Sequence, residues 1–351
     1  MGMVWRGFGA AFLTIAVLSG GSEPAPTRNP LSPDSIGGSS RAARTTLPSP
    51  TAERHRSASH IMVIMMENKN YSEVIGQADQ PYTNALAQHY GLATQSFAFG
   101  HPSLPNYLVL VSGSSQGVTD DDAPSAHSFP RVATLADQLA AAGFSEKAYA
   151  EDLPPDPSRD SGEYAVRHFP WAYFPSTKMP IADSTSLVRD LNSSRPPDFV
   201  WYTPNLIDDE HDGTVQEGDA FLARLVPKVQ STAWYKSGGE IIIEWDESDT
   251  EDSGFNGTDG GHIPTIVVSN ALKASPRKDT TPVDTAGILA SIEDSYAVGH
   301  LGGAANAANG NINPLLAAGR PARRVATAAK SAKIVIDSSK TVISQAKPST
   351  E

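Results

Sequence analysis

Residues 240–249, EIIIEWDESD, decide the fold class of this chain. The apolar run from Ile241 to Ile243 has the length and the β-branched composition of a short, fully buried strand. Directly after this strand come the carboxylates of Asp246 and Glu247. A buried strand that ends in acidic residues is typical of an open α/β sheet, where ligands bind beyond the carboxyl ends of the strands.

Two further segments repeat this pattern. The apolar run 60–66 ends in Glu67 and Asn68, and the run 198–202 leads into a polar loop with the residues Asp208, Asp209, Glu210, His211 and Asp212. Acidic residues in a loop are usually just solvated, and solvation alone would explain any one of these clusters. Three clusters at one edge of a sheet would repel each other without a cation, so together they predict a metal site.

The stretch 101–113, HPSLPNYLVLVSG, places a hydroxyl and an amide where a helix should begin. Leu104, Tyr107 and Val111 recur at helical spacing, and proline is compatible with the first helical turn. Ser103 would then lie at the helix start, where free N–H groups and the positive end of the dipole attract an anion such as phosphate. The alternative is that Ser103 only caps the helix.

Several motifs of this chain, taken together and in order, resemble the bacterial phosphoesterase family. That family contains secreted acid phosphatases and phospholipases C, and it belongs to the alkaline-phosphatase-like superfamily; the likeness is strongest to short actinobacterial acid phosphatases, some of which act on phosphoinositides. The motifs, between about His60 and about Gly302, are Met66-Glu67-Asn68, His101-Pro102-Ser103-Leu104-Pro105-Asn106-Tyr107, Tyr149-Ala150-Glu151-Asp152-Leu153-Pro154, Thr203-Pro204-Asn205, Glu210-His211-Asp212-Gly213, Gly218-Asp219-Ala220, Trp245-Asp246-Glu247 and His262-Ile263-Pro264-Thr265.

The resemblance implies a role for each candidate residue. Ser103 would attack phosphorus and form a phosphoserine intermediate, while Asn106 donates its amide to a phosphate oxygen. A divalent metal would activate the serine, and its ligands would be Glu67, Ser103, Asp246 and Glu247, with Asn68 as a candidate further ligand. A second cation, or a charged histidine in its place, would lie near Asp208 or Asp209, His211 and His262.

The metal itself stays open at this point. Two-metal members of the superfamily have an Asp-His pair where this chain has Asp246-Glu247. A single Mg²⁺ or Ca²⁺ is therefore as consistent with the sequence as Zn²⁺. His168 is interpreted as structural, with substrate contact as the alternative.

The pattern of the whole chain predicts an α/β fold with a mostly parallel central sheet flanked by helices, alkaline-phosphatase-like, with an irregular cap and disordered tails. Strands are expected at 60–66, 146–150, 198–202, 240–245 and 264–268, with an extended segment at 93–99. Helices are expected at 81–90, after Ser103, and at 132–142, 217–229 and 283–296. The proline-rich segment 153–197, with its clustered aromatic residues, would form the cap on the substrate side.

Composition divides the chain into four parts. Residues 1–20 carry a short apolar run typical of a signal peptide, with no cysteine at the lipoprotein position. Residues 21–58 are predicted to be a Pro/Ser-rich disordered linker, 59–303 the phosphoesterase domain, and 304–351 a low-complexity basic tail. The sequence therefore indicates a secreted protein without a transmembrane helix in the mature chain.

Charge and cysteine content narrow the class of partners. The chain has no cysteine, so a metal would have only oxygen and nitrogen ligands, and the net charge of −12 argues against nucleic-acid binding. For the basic tail, solvated disorder is favoured over weak contact with a cell wall or membrane surface. The predicted function is hydrolysis of small-molecule or lipid phosphate monoesters; the alternatives are a phospholipase C or other phosphodiesterase, and a non-catalytic wall- or anion-binding module.

Overall fold

The computed structural model describes residues 60–250 and 254–316, which form a sheet with helices packed on it. In chain order the strands are β1 (His60–Met66), β2 (Gly91–Phe97), β3 (Glu146–Ala150), β4 (Ile181–Asp183), β5 (Phe199–Thr203), β6 (Gly239–Trp245), β7 (His262–Ser269), β8 (Arg277–Asp279) and β9 (Val283–Asp284). The signal peptide and the linker predicted from the sequence lie outside the described residues, as does the segment after 316.

The α-helices of the described residues are α1 (Tyr71–Val74), α2 (Pro81–His89), α3 (Ser103–Ser112), α4 (Leu135–Ala141), α5 (Leu187–Leu191), α6 (Val215–Ser231), α7 (Ala233–Lys236), α8 (Asn270–Ala274) and α9 (Thr285–Tyr296). Single 3-10 turns cover Val166–His168, Pro170–Tyr173, Ser184–Ser186, Gly302–Ala305, Ala307–Asn309 and Asn313–Leu315. None of the helices in 60–250 and 254–316 has the length and apolar character needed to cross a membrane.

The sheet has the strand order β4-β3-β5-β1-β6-β7-β2-β8, and β9 pairs with β2. All pairs are parallel except those of β7, which runs antiparallel to both β6 and β2. The predicted α/β fold with a mostly parallel sheet is therefore confirmed. The short strands β4, β8 and β9 were not predicted, because two or three residues leave no readable alternation.

The central strands are buried on both faces. In β1 every residue from Ile61 to Met66 is fully buried, and β6 is buried along its whole length. Such strands need continuous apolar runs, because helices cover both sides of a parallel sheet. Each fully buried side chain of the size of leucine or isoleucine contributes about 1.5–3 kcal/mol.

Helix α3 belongs to this core. All ten of its residues are buried, and it packs against α9. It ends at Gly113, which adopts φ 73° and could not be replaced by a larger residue, since a Cβ there would lie 2.2 Å from the Leu301 carbonyl oxygen. The helix is therefore held rigidly at its C-terminal end, and its first residue, Ser103, has a well-defined position.

Two segments differ from the sequence-based boundaries and roles. The described fold continues past the predicted domain end at 303, because Ile312 and Leu315 are buried and the Ile312 amide donates to Ser291 Oγ at 2.8 Å. In the segment 153–197, the aromatic residues Trp171 and Tyr173 are also buried, and the turn that holds them packs against α3. These aromatic side chains therefore extend the core below the site and do not form an exposed surface for substrate.

Candidate active site

The ends of β1, β6 and β5 bring three loops together. Met66 and Trp245 are register partners, and the Asp246 amide donates to the Met66 carbonyl at 3.0 Å. The Glu67 amide donates to the carbonyl of Asp209, in the loop after β5, at 2.8 Å. Because parallel strands end at the same edge, acidic residues from three distant parts of the sequence become neighbours.

Ser103 is the first residue of α3, and it does not cap the helix. The N-cap position is Pro102, and the Leu104 amide at the helix start donates instead to Asp121 Oδ1 at 2.9 Å. The Ser103 hydroxyl is thereby left to donate to Glu67 Oε2 at 3.1 Å. The side chain is only 2% exposed, so this hydroxyl faces the carboxylates and not bulk water.

Glu67 lies at the centre of the cluster and is fully buried. Besides Ser103, its carboxylate accepts a short hydrogen bond from the Tyr107 hydroxyl, one turn further along α3. Burial raises the pKa of Glu67 well above its usual range, and the nearby charges of Asp246 and Asp209 raise it further. The ionised form therefore requires positive charge close by.

Asp246 is buried beside these groups. Its Oδ1 accepts the Asn68 amide at 3.1 Å, whereas Oδ2 has no hydrogen-bond partner among the described residues. Burial raises the pKa of this carboxyl, and the Asn68 amide and the Ser103 hydroxyl counteract that effect in part. Asn68 takes part through its backbone, at φ 51°.

A second group of side chains faces Glu67 from the loops at 166–168 and 205–213. His168 Nδ1 lies 3.1 Å from Asp209 Oδ2, and its Nε2 lies 3.4 Å from Glu67 Oε2. His211 Nδ1 contacts Asp212 at 2.7 Å, and the Arg167 guanidinium reaches its Nε2 at 3.0 Å. Ligand atoms of Glu67, His168 and His211 all lie within 4.8 Å of one another.

Asn106 and Glu247 lie on the other side of Ser103. The Asn106 amide donates to the Gly100 carbonyl at 2.7 Å and to Glu247 Oε2 at 3.3 Å, and its oxygen accepts the Gly100 amide at 3.0 Å. His101 Nδ1 also contacts Glu247, at 3.2 Å. Burial and the Asp246 charge raise the pKa of Glu247. In this arrangement Asn106 holds the loop before α3, and its predicted contact with a phosphate oxygen stays a prediction.

Two of the predicted site residues have other partners. The Asp208 carboxylate is bound by the Arg224 guanidinium, with both oxygens at 2.9 Å from Nη2. The His262 ring is stacked on Tyr71 with ring centroids 4.4 Å apart, and also on Phe97. His262 is the first residue of the antiparallel strand β7, so it lies at the same edge of the sheet as the ends of the parallel strands. Its register partner there is Phe97.

Sequence reasoning missed three residues of this site, namely Tyr107, Arg167 and His168. Tyr107 was assigned to the apolar face of α3, and only its hydroxyl reaches Glu67. Arg167 and His168 belong to a 3-10 turn inside the irregular segment, where no periodicity marks them. Their proximity to proline and aromatic residues was the one available signal, and it suggested substrate contact only as an alternative for His168.

A family model described as the phosphoesterase family matches residues 77–299, more than half of the chain. The chain belongs to the phosphoesterase family. This family assignment confirms the resemblance seen in the motifs, and it makes the chain a hydrolase that acts on phosphate esters.

Individual relatives agree with this assignment. The chain is 29% identical over 253 residues to a phosphatidylinositol-3-phosphatase of Mycobacterium tuberculosis, which covers 71% of this chain and 80% of that protein. It is 26% identical to a probable acid phosphatase of Kluyveromyces lactis, with 68% of this chain and 58% of that protein covered. Among solved structures, the lipoteichoic acid synthase LtaP of Listeria monocytogenes matches at a TM-score of 0.50 and 10% identity, over 70% of this chain and 73% of that one, which shows a shared fold alone.

The donor atoms of this phosphoesterase fit a cation. Burial lowers the pKa of His168 well below its usual range, which favours the neutral ring. With Nδ1 facing Asp209, the lone pair of Nε2 faces the Glu67 carboxylate, and Nε2 has no hydrogen-bond partner among the described residues. Two acceptors in such a contact repel unless a proton or a metal ion lies between them. The site therefore contains oxygen and imidazole donors of the kind that divalent metals use.

Glu210 anchors the loop that carries Asp209 and His211. Its backbone has φ 82°, and its buried side chain points away from the site, where Oε2 accepts the Trp245 indole N–H at 2.9 Å. Burial raises the pKa of this carboxyl to about 8. The side chain fits only because residue 218 of α6 is glycine, since a Cβ there would lie 2.1 Å from Glu210 Oε1.

We therefore expect Gly218→Ala to destabilise the phosphoesterase by about 1–3 kcal/mol, because the new methyl group overlaps Glu210. The measurement is the free energy of unfolding from urea titration. Gly299→Ala is the matched control, since a Cβ at this exposed glycine meets nothing within 4 Å, and it should change stability by less than about 0.5 kcal/mol. Equal stability of the two variants would contradict the tight fit at Gly218.

Proposed function

We propose that this chain is an exported, metal-assisted phosphomonoesterase that uses Ser103 as its nucleophile. The substrates would be small-molecule phosphate monoesters or the phosphorylated headgroups of phosphoinositides. Export rests on the predicted signal peptide at 1–20.

The observation that carries the proposal is the hydrogen bond from Ser103 Oγ to Glu67 Oε2, at 3.1 Å. It joins a hydroxyl at the start of a buried helix to a carboxylate at the end of a central strand. The serine oxygen is thus held in one orientation, and Glu67 is in place to accept its proton. Burial raises the pKa of Glu67, so its carboxylate serves as this base only when a nearby cation keeps it ionised.

The reaction would follow in two displacements. Ser103 Oγ passes its proton to Glu67 and forms a bond to phosphorus as the ester P–O bond breaks, and the leaving alkoxide takes up a proton from solvent to depart as the alcohol. Water then attacks phosphorus opposite the serine oxygen, from the side that the alcohol left, and gives a proton to solvent. The Ser103–phosphate bond breaks, the serine oxygen regains its proton from Glu67, and inorganic phosphate is released. Residues near Ser103 hold the reacting oxygens in line, which is the main task of a protein in phosphoryl transfer.

A divalent metal bound here would lower the pKa of the serine hydroxyl and neutralise charge on the phosphoryl oxygens. The chain offers an oxygen set, Glu67, Ser103 and Asp246, and the imidazole of His168 next to Glu67. His211 lies within reach of the same group, but its Nε2 is bound by Arg167 and its Nδ1 by Asp212, so a metal would have to replace one of these partners. Two further predicted ligands lie next to the oxygen set. Glu247 contacts His101 and Asn106, and the backbone amide of Asn68 donates to the Asp246 carboxylate. An ion that accepts both donor types, such as Zn²⁺, fits the combined set, whereas Mg²⁺ or Ca²⁺ fits the oxygen set.

The relatives support the monoester class. The curated relatives of M. tuberculosis and K. lactis are named as phosphatases, and the first of them as a phosphatidylinositol-3-phosphatase. On this basis we propose a phosphate monoester as the substrate class. The inositol headgroup is one candidate for the rest of the substrate molecule.

The test compares p-nitrophenyl phosphate with bis-p-nitrophenyl phosphate as substrates of the purified chain, with Mg²⁺, Ca²⁺ and Zn²⁺ supplied in turn. We expect kcat/KM for the monoester to exceed that for the diester by at least about tenfold, since the curated relatives are named as phosphatases. A preference for the diester would favour the phosphodiesterase alternative. Absence of hydrolysis with both esters and every metal would favour a non-catalytic module.

A further inference from the structure

Arg167 is the cationic side chain that reaches into the acidic site from the irregular segment. It lies next to His168 in a 3-10 turn, and its side chain is 20% exposed. Its Nη2 donates to His211 Nε2 at 3.0 Å, and its Nε lies 4.0 Å from Asp121 Oδ2. The guanidinium is thus buried enough to be positioned and open enough to be reached by a substrate.

Both of these partners are connected to the nucleophile. Asp121 Oδ1 accepts the amide of Leu104, the residue directly after Ser103, at 2.9 Å. A ring nitrogen of His211 lies within 4.8 Å of a carboxylate oxygen of Glu67, which accepts the Ser103 hydroxyl. Through Asp121 and His211, Arg167 therefore connects the start of α3 with the histidine side of the site.

The charges of the site call for such a cation. A phosphate monoester carries close to two negative charges at neutral pH, and it would approach a cluster of acids comprising Glu67, Asp121, Asp209, Asp246 and Glu247. Lys69 is also near, but its ammonium group donates to the carbonyls of Asn68 and Glu210 at 3.0 Å. A guanidinium presents several N–H groups in a planar fork, and the hydrogen bond to His211 leaves others to pair with phosphate oxygens.

We infer that Arg167 binds the phosphoryl oxygens of the substrate and selects dianionic monoesters over singly charged diesters. Asp121 and His211, which contact its guanidinium, lie next to Leu104 and Glu67, the neighbours of Ser103. This inference deepens the proposed function and rests on it for the identity of the substrate.

The experiment compares Arg167→Met and Arg167→Lys with the control Arg159→Met, which removes an exposed arginine paired with Asp156 on the surface. For each protein we would measure kcat and KM for both p-nitrophenyl esters, and the inhibition constant and calorimetric dissociation constant of inorganic phosphate. Losing a charge-assisted bond should weaken phosphate binding by about 10- to 100-fold in Arg167→Met, and the monoester-to-diester ratio of kcat/KM should fall by at least about tenfold. Arg167→Lys should keep part of the phosphate affinity and part of the preference for the monoester, and Arg159→Met should match the wild type.

A separate readout guards against misfolding of the variant. In Arg167→Ala, added guanidinium chloride at millimolar concentration should restore monoester turnover, whereas equal sodium chloride should not. Wild-type phosphate affinity and an unchanged ester ratio in Arg167→Met would overturn the inference and leave the proposed function intact. A wild-type chain that hydrolyses no ester but binds phosphate through Arg167 would sink the proposed function and uphold the role of Arg167 as an anion ligand.

Discussion

Ser103→Ala is expected to lower kcat for p-nitrophenyl phosphate by at least about 10³-fold while the protein stays folded. The variant removes the oxygen that would bond to phosphorus, and no other hydroxyl takes the same position at the start of α3. Glu67 loses one hydrogen-bond donor but keeps that of Tyr107, so the cost in stability should stay within about 1–3 kcal/mol. Steady-state kinetics and thermal unfolding measure the two effects.

Ser112→Ala is the matched control for this prediction. Ser112 lies at the other end of α3, is also buried, and donates its hydroxyl to the Leu108 carbonyl at 2.8 Å. Its loss should cost similar stability and leave kcat within about twofold. Acid quenching of the wild type during turnover, followed by mass spectrometry, should show phosphate on Ser103. Near-native turnover by Ser103→Ala would rule out the serine mechanism.

Asp246→Asn is expected to cause the second largest loss, because it removes a buried carboxylate from the oxygen set. Asp246 Oδ2 is buried without a hydrogen-bond partner among the described residues, as an atom reserved for a cation would be. Loss of a group that only supports a metal ligand commonly lowers metal affinity or activity by about 10- to 100-fold. For Asp246→Asn we therefore expect both metal affinity and kcat/KM to fall by more than about 100-fold. Elemental analysis and kinetics on the same samples measure these losses.

Chelation gives the complementary test on the wild type. Dialysis against a strong chelator should abolish turnover, and one of Mg²⁺, Ca²⁺ or Zn²⁺ should restore it. The matched control is Asp208→Asn: this aspartate is close in sequence to Asp209 but is paired with Arg224, so metal content and activity should stay near those of the wild type. Full activity of the chelated wild type, or equal losses in both variants, would contradict a metal at Asp246.

The sequence was most informative where a candidate site residue directly follows a strand, or begins a helix, that can be recognised from its pattern of apolar residues. Glu67 and Asp246 follow buried strands that could be read from their apolar runs, and Ser103 starts a helix whose buried face recurs at helical spacing. Parallel strands end at a common edge, so the convergence of these residues needed only the fold class.

The histidines and arginines could not be assigned in the same way. His211 and His262 both follow or precede strands in glycine-containing loops, yet His211 faces Glu67 and His262 is stacked on Tyr71. The difference arises from β7, which is antiparallel and pairs His262 with Phe97. Asp208 and Asp209 are adjacent, and only the turn of their loop decides which one meets Arg224 and which one meets His168.

By itself, then, the sequence determined the family, the strand-terminal carboxylates and the serine at the start of α3, because each depends on neighbours within a few residues along the chain. The tertiary structure decided the half of the site that contains Arg167 and His168. Arg167 and His168 belong to an irregular turn without periodicity, and they meet Glu67 and Asp121 only because buried aromatic residues pack that turn against α3. Contacts of this kind depend on how distant surfaces fit together, and local sequence patterns do not record that fit.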